Sequence, residues 1–90
     1  MFATHKDFIH AKCPVNGCWD YYEVTVECGD VTYCETISAA LDQVRGSTDW
    51  TQEYLAQKLA NILSCSVTLK GMHGRMTTIV EANPGEELIA

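Results

Sequence analysis

Between residues 20 and 28 the chain alternates. Tyr22, Val24, Val26 and Cys28 fall on one side, and Tyr21, Glu23, Thr25 and Glu27 on the other. A period of two with one acidic face predicts a strand whose apolar side is covered. Residues 2–11, FATHKDFIHA, alternate more weakly and predict a strand ahead of it. Gly29-Asp30 marks a turn, and residues 31–34 read as a short extended piece. From Glu35 the period lengthens: Ile37, Ala40, Leu41 and Val44 recur at helical spacing, and Gly46 supplies a stop. A second helix is predicted over 51–64, with Leu55, Leu59, Ile62 and Leu63 on one stripe. Ser47, Thr48 and Asp49 are its candidate caps, and Asp49 and Gln52 have capping-box spacing. Residues 66–72 and 75–82 predict two further strands joined by a turn at His73-Gly74. Asn83-Pro84-Gly85 signals a turn opening a flexible tail over 84–90.

The resulting order is β-β-α-α-β-β: an α+β domain over residues 1–83, with an antiparallel four-stranded sheet and two helices on one face. Such a sheet has two open edges, which must be paired or covered, and a ring of several subunits closing their sheets into one barrel would do so. Size points the same way, because 90 residues bury only about 60–65% of their extended-chain surface and fold with little margin.

Charge narrows the function. Twelve acidic against six basic residues give a formal net charge of −6, which argues against non-specific binding of nucleic acid or anionic membranes by a single subunit. No apolar run approaches the ~20 residues that span a bilayer. The first residues lack the apolar core of an export signal, so a cytoplasmic location is expected. The odd number of cysteines (Cys13, Cys18, Cys28, Cys34 and Cys65) fits reduced thiols better than a disulfide framework. Cys28, Cys34 and Cys65 read as small buried hydrophobes.

Chemistry concentrates in residues 12–23, KCPVNGCWDYYE. His10, Cys13 and Cys18 can be read as metal ligands, with His5 or Cys34 as a fourth, although structural zinc sites usually show two tight ligand pairs and none is present. Cys13 and Cys18 can be read as a small disulfide loop, to which a reducing compartment is hostile. Cys13 can also be a nucleophile with Asp20 as its proton carrier, because a thiolate needs a base and the nitrogen anion it creates needs an acid. From these residues alone the readings stay open.

Residues 8–26 as a whole resemble the Cys-Pro-x-[Thr or Asn]-Gly-x-x-Asp-aromatic segment of the QueF family, the 7-cyano-7-deazaguanine reductases of the tunnelling-fold superfamily. The unit of that superfamily is β-β-α-α-β-β. The resemblance implies that Cys13 attacks the nitrile carbon to form a thioimide and that Asp20 handles the protons. It also implies that Glu53, in Trp50-Thr51-Gln52-Glu53, holds the purine-like ring, with Gln52 and Trp19 as further substrate contacts. Where the reductases begin their NADPH motif with Glu-Ser-Lys-Ser, this chain has Glu35-Thr36-Ile37-Ser38 and no lysine. The trimmed pattern is similar to the QueF-like amidinotransferases, which need no such cofactor and add ammonia to the same thioimide. The implied partners are a 7-deazaguanine base, free or within tRNA or DNA, and further copies of the chain in stacked rings. Lys70, His73 and Arg75 are candidates for a basic rim around the last hairpin.

Overall fold

The computed structural model describes residues 2–29, 33–48 and 50–86. Its elements run β1 (Ala3–Lys12), β2 (Trp19–Cys28), α1 (Cys34–Val44), α2 (Gln52–Leu63), β3 (Ser66–His73) and β4 (Met76–Ala82). The strands form one antiparallel sheet in the order β1-β2-β3-β4. This is the β-β-α-α-β-β design that the hydrophobic pattern predicts.

The alternation on β2 sets the layers. Tyr22, Val24, Val26 and Cys28 are buried, together with Ile9 and Ala11 on β1 and Val67 and Leu69 on β3. Against them lie Ile37, Ala40, Leu41 and Val44 of α1 and Leu55, Ala56, Leu59, Ala60 and Leu63 of α2. Among the described residues no helix covers the opposite face of the sheet. Phe8, Tyr21, Met72 and Ile79 stand there exposed, Tyr21 at 71%.

The outer edge of β1 is met near its end by the loop between the helices. Gly46 N–H donates to His10 O at 2.8 Å, and Lys12 N–H to Ser47 O at 2.8 Å. Arg45, the residue that closes α1, ties the same elements by side chain. Its guanidinium donates to Phe8 O at 2.6 Å, to Asp7 Oδ2 at 2.7 Å and to Asp42 Oδ1 at 2.9 Å. These bonds fix the entry to α2 beside the end of β1, where Cys13 follows.

Several details depart from the sequence reading. The first turn of α2 is capped by Thr51, whose hydroxyl accepts from Tyr54 N–H at 3.3 Å. Asp49, and the Asp30–Thr32 part of the turn and extended piece, lie outside the described residues. Ile62 leaves the helical stripe and is 39% exposed, because Ala56 and Ala60 complete the buried face instead. Cys28 and Cys65 are buried as expected, whereas Cys34 opens α1 in the open. His73 is the last residue of β3, and the turn is Gly74-Arg75. The start of the expected tail is pinned: Gly85 N–H donates to Asn61 Oδ1 at 2.9 Å, and Asn83 O accepts from the Gln57 amide at 2.8 Å. Residues 87–90 lie outside the described residues.

Candidate active site

The β1–β2 connection is a closed loop. Cys13 N–H donates to Cys18 O at 2.8 Å, and Gly17 N–H to Cys13 O at 2.9 Å. The Asn16 carboxamide caps the turn by accepting from Cys18 N–H at 2.9 Å. Gly17 has φ of 73°, a left-handed conformation that costs glycine nothing and other residues more. The sequence Cys-Pro-Val-Asn-Gly-Cys is thus a turn that holds Cys13, half-buried, at the mouth of the helix-covered face.

Asp20 and Tyr22 are two residues apart on β2 and so share that face. The Asp20 side chain is 11% exposed. Tyr22 Oη donates to its Oδ2 at 3.4 Å. Burial, reinforced by the neighbouring Asp20 carboxylate, holds the Tyr22 phenol well above the ordinary tyrosine range. Directly across the ladder from Tyr22 is Gly71. A Cβ built on Gly71 would lie 2.4 and 2.6 Å from Cδ1 and Cε1 of the Tyr22 ring. The glycine is the seat of that ring.

Gln52, the first residue of α2, is 3% exposed. Its amide nitrogen donates to Leu69 O at 2.9 Å and to Thr78 O at 3.0 Å, stitching the helix start to β3 and β4. Its Oε1 lies 2.7 Å from His73 Nε2. The other ring nitrogen, His73 Nδ1, lies 3.6 Å from Asp20 Oδ2. Tyr22, Asp20, His73 and Gln52 therefore form one polar chain under the Cys13 loop.

A cavity of about 300 Å³ opens here, lined by Cys13, Pro14, Val15, Asn16, Tyr22, Trp50, Thr51, Gln52, Glu53 and His73. It has the size of a small heterocycle's site. The structure brings Cys13, Gln52 and Glu53 around one space, with Asp20 behind Tyr22 and His73. Trp19 is not brought there. It stands on the open face, its ring 5.4 Å from that of His10, and Tyr21 lies on the same side. Lys70 pairs opposite Glu23 on β2, and Arg75 is exposed in the turn, so of the expected basic rim only His73 lines this cavity.

The alternative metal set is not assembled. His10 faces away from the cavity, and His5 and Cys34, whose Nδ1 and Sγ are 3.8 Å apart, lie near the other end of β1, on the order of 20 Å away by strand rise. Among the described residues no group of three or more His, Cys, Asp and Glu side chains is arranged to hold a metal ion. At the start of α1, Glu35 and Thr36 are exposed but Ile37 is buried in the core. The third position of the implied NADPH motif thus serves packing and supplies no cation, so these residues do not fit that cofactor's phosphate groups.

The sequence reading leaves Tyr22 out of the site and places His73 there only as part of a basic rim. Both were signalled by parity, since Asp20 and Tyr22 share the inward side of β2 and His73 continues the inward series of Leu69 and Gly71.

No family model matches the chain, and no curated protein matches it in sequence. A solved structure does: the crystal structure of the archaeosine synthase QueF-Like in the apo form superposes with a TM-score of 0.81, at 25% identity, over 97% of this chain and 96% of that one. The chain has the tunnelling fold of that QueF-like protein. The match runs through both hairpins and both helices. No helix among the described residues is long and apolar enough to cross a membrane.

Proposed function

We propose that this QueF-like chain is an enzyme that acts on the nitrile of a 7-cyano-7-deazaguanine through a covalent thioimide on Cys13, and that it completes an amidination. The observation that carries the reading is the convergence of Cys13 and Glu53 on one cavity backed by Asp20. The Cys13 sulfur adds to the nitrile carbon, and the thiol proton, taken by Asp20, goes to the nitrile nitrogen. Ammonia then adds to the thioimide carbon and the Cys13 thiol leaves, so the product is an amidine and the cysteine is regenerated. Glu53, in the first turn of α2, accepts from the ring N–H and the exocyclic amine of the base.

Amidination is favoured over reduction by Ile37, which fills the place where the reductases carry a lysine. A nucleic-acid-bound base is supported by the neighbour being an archaeosine synthase. Assembly into rings is supported by the exposed apolar face of the sheet and by its two edge strands.

The test is intact mass after incubation with 7-cyano-7-deazaguanine, beside Cys13→Ala. An adduct of one ligand per chain, absent from the variant, is expected, and ammonia should release it as the amidine. Release by NADPH with its oxidation would assign the reductase activity instead. No adduct with the free base or with a nucleic acid carrying it would overturn the reading.

A further inference from the structure

The cavity is acidic. Cys13 and Glu53 in its wall, and Asp20 behind Tyr22, can each carry negative charge. A carboxylate is a much weaker base than a thiolate, so Asp20 alone is a poor holder for the proton of the Cys13 thiol. Among the described residues the only basic side chain lining the cavity is His73.

The orientation of the imidazole follows from its neighbours. Both carbonyls that meet the Gln52 amide nitrogen are acceptors, so that atom must be the NH₂ and Oε1 must face His73. An amide oxygen only accepts, so His73 Nε2 carries a hydrogen. In the neutral ring Nδ1 is then unprotonated, with its lone pair on the Asp20 side. Beside the ring stand Asp20 and Tyr22 of β2 and Gln52 at the start of α2, with Glu53 and Cys13 lining the same cavity and Arg75 exposed in the turn.

We infer that His73 is a positioning residue that holds the proton of the Cys13 thiol during thioimide formation: Asp20 passes it to His73 Nδ1 and returns it to the nitrile nitrogen as the carbon–sulfur bond forms. No proton is gained or lost overall. The thiol loses one, the pair of Asp20 and His73 stores it, and the imide nitrogen receives it. Gln52 fixes the tautomer that leaves Nδ1 empty. The inference rests on the thioimide reading above and adds the acceptor which that reading lacks.

The experiment follows adduct formation by rapid quench and intact mass across pH 4–9, for the unaltered protein, His73→Ala and His73→Gln. An imidazole accepts a proton about two to three units more readily than a carboxylate, so both variants should form the adduct on the order of 10²-fold more slowly. The acid-side inflection of the unaltered protein should vanish, and added imidazole should restore part of the rate in His73→Ala. Independently of any substrate, ¹⁵N NMR of the histidine ring should show the Nε2–H tautomer in the unaltered protein. Adduct formation at unchanged rate and pH profile in folded variants, or a neutral Nδ1–H tautomer, would overturn the role of His73 while leaving the thioimide reading intact. No adduct in the unaltered protein would overturn both.

Discussion

Gly71 makes the sharpest test of how the site is seated. Replacing it with alanine adds one methyl group where 2.4 and 2.6 Å separate the new Cβ from two atoms of the Tyr22 ring. Ordinary carbon contacts lie near 3.5–4.0 Å, so the ring must retreat by roughly 1 Å. Tyr22 is buried at 3% exposure, and overpacking of this kind costs about 1–3 kcal/mol. Against it stands the ordinary gain of about 0.5–1 kcal/mol when alanine replaces glycine in a strand. The net loss expected for Gly71→Ala is therefore about 0–2.5 kcal/mol. The decisive comparison is made in a Tyr22→Val background, where Cδ1 and Cε1 no longer exist. There the same substitution should become neutral or stabilising by up to about 1 kcal/mol. Urea unfolding of the four proteins at one protein concentration gives the cycle, with an expected coupling of about 1–3 kcal/mol. Equal effects of Gly71→Ala in the two backgrounds would refute the claim that the ring is what the glycine accommodates. Because the displaced ring carries Oη away from Asp20, Gly71→Ala should also slow adduct formation on Cys13.

Three further outcomes follow from the same contacts. Gln52→Leu leaves the carbonyls of Leu69 and Thr78 without their donor, and at about 1–1.5 kcal/mol per buried bond it should cost about 2–3 kcal/mol, lowering the melting temperature by about 8 °C or more; a shift within two degrees would refute the clamp. Arg45→Met should destabilise the junction of α1 and β1, with a gap that depends on pH. The Phe8 backbone N–H and then Arg45 hold the Asp7 carboxyl below its ordinary value, so its contribution is present above about pH 4 and is lost as pH falls through the depressed value. The difference between Arg45→Met and the unaltered protein should narrow on acidification, and a constant gap from pH 7 to pH 3 in urea titrations would refute the pairing. Chelation should leave the melting curve unchanged, because His10 and Cys13 face different sides of the sheet; stoichiometric zinc whose removal unfolds the protein would restore the metal reading.

The sequence made the layers legible because burial of a sheet on one face imprints a period of two, and burial of a helix a period near 3.6. Residues 20–28 and 35–44 show this cleanly. Where both signals weakened, the reading slipped. Thr51 caps α2, a role assigned from the sequence to earlier residues, because capping depends on where the backbone turns and several polar residues in a row can serve. Ile62 is exposed because the buried face of α2 is completed by the small side chains of Ala56 and Ala60, which hydrophobic size alone does not single out.

The site was legible in a different way. Cys13, Asp20 and Glu53 came from a motif, whereas Tyr22 and His73 require the pairing of β2 with β3, a register that no local pattern states. Only when Tyr22 is set opposite Gly71 does His73, two residues beyond the glycine, come to the side of Asp20. The glycine opens room for the phenol, the phenol fills the inner wall, and the imidazole takes the remaining place beside the carboxylate. A one-residue slip of β3 against β2 would turn His73 to the open face and leave Asp20 without a basic neighbour. Strand register and the proton path of the proposed reaction are therefore one constraint, and Gln52, bonded at once to β3, β4 and the imidazole, is the side chain that enforces it.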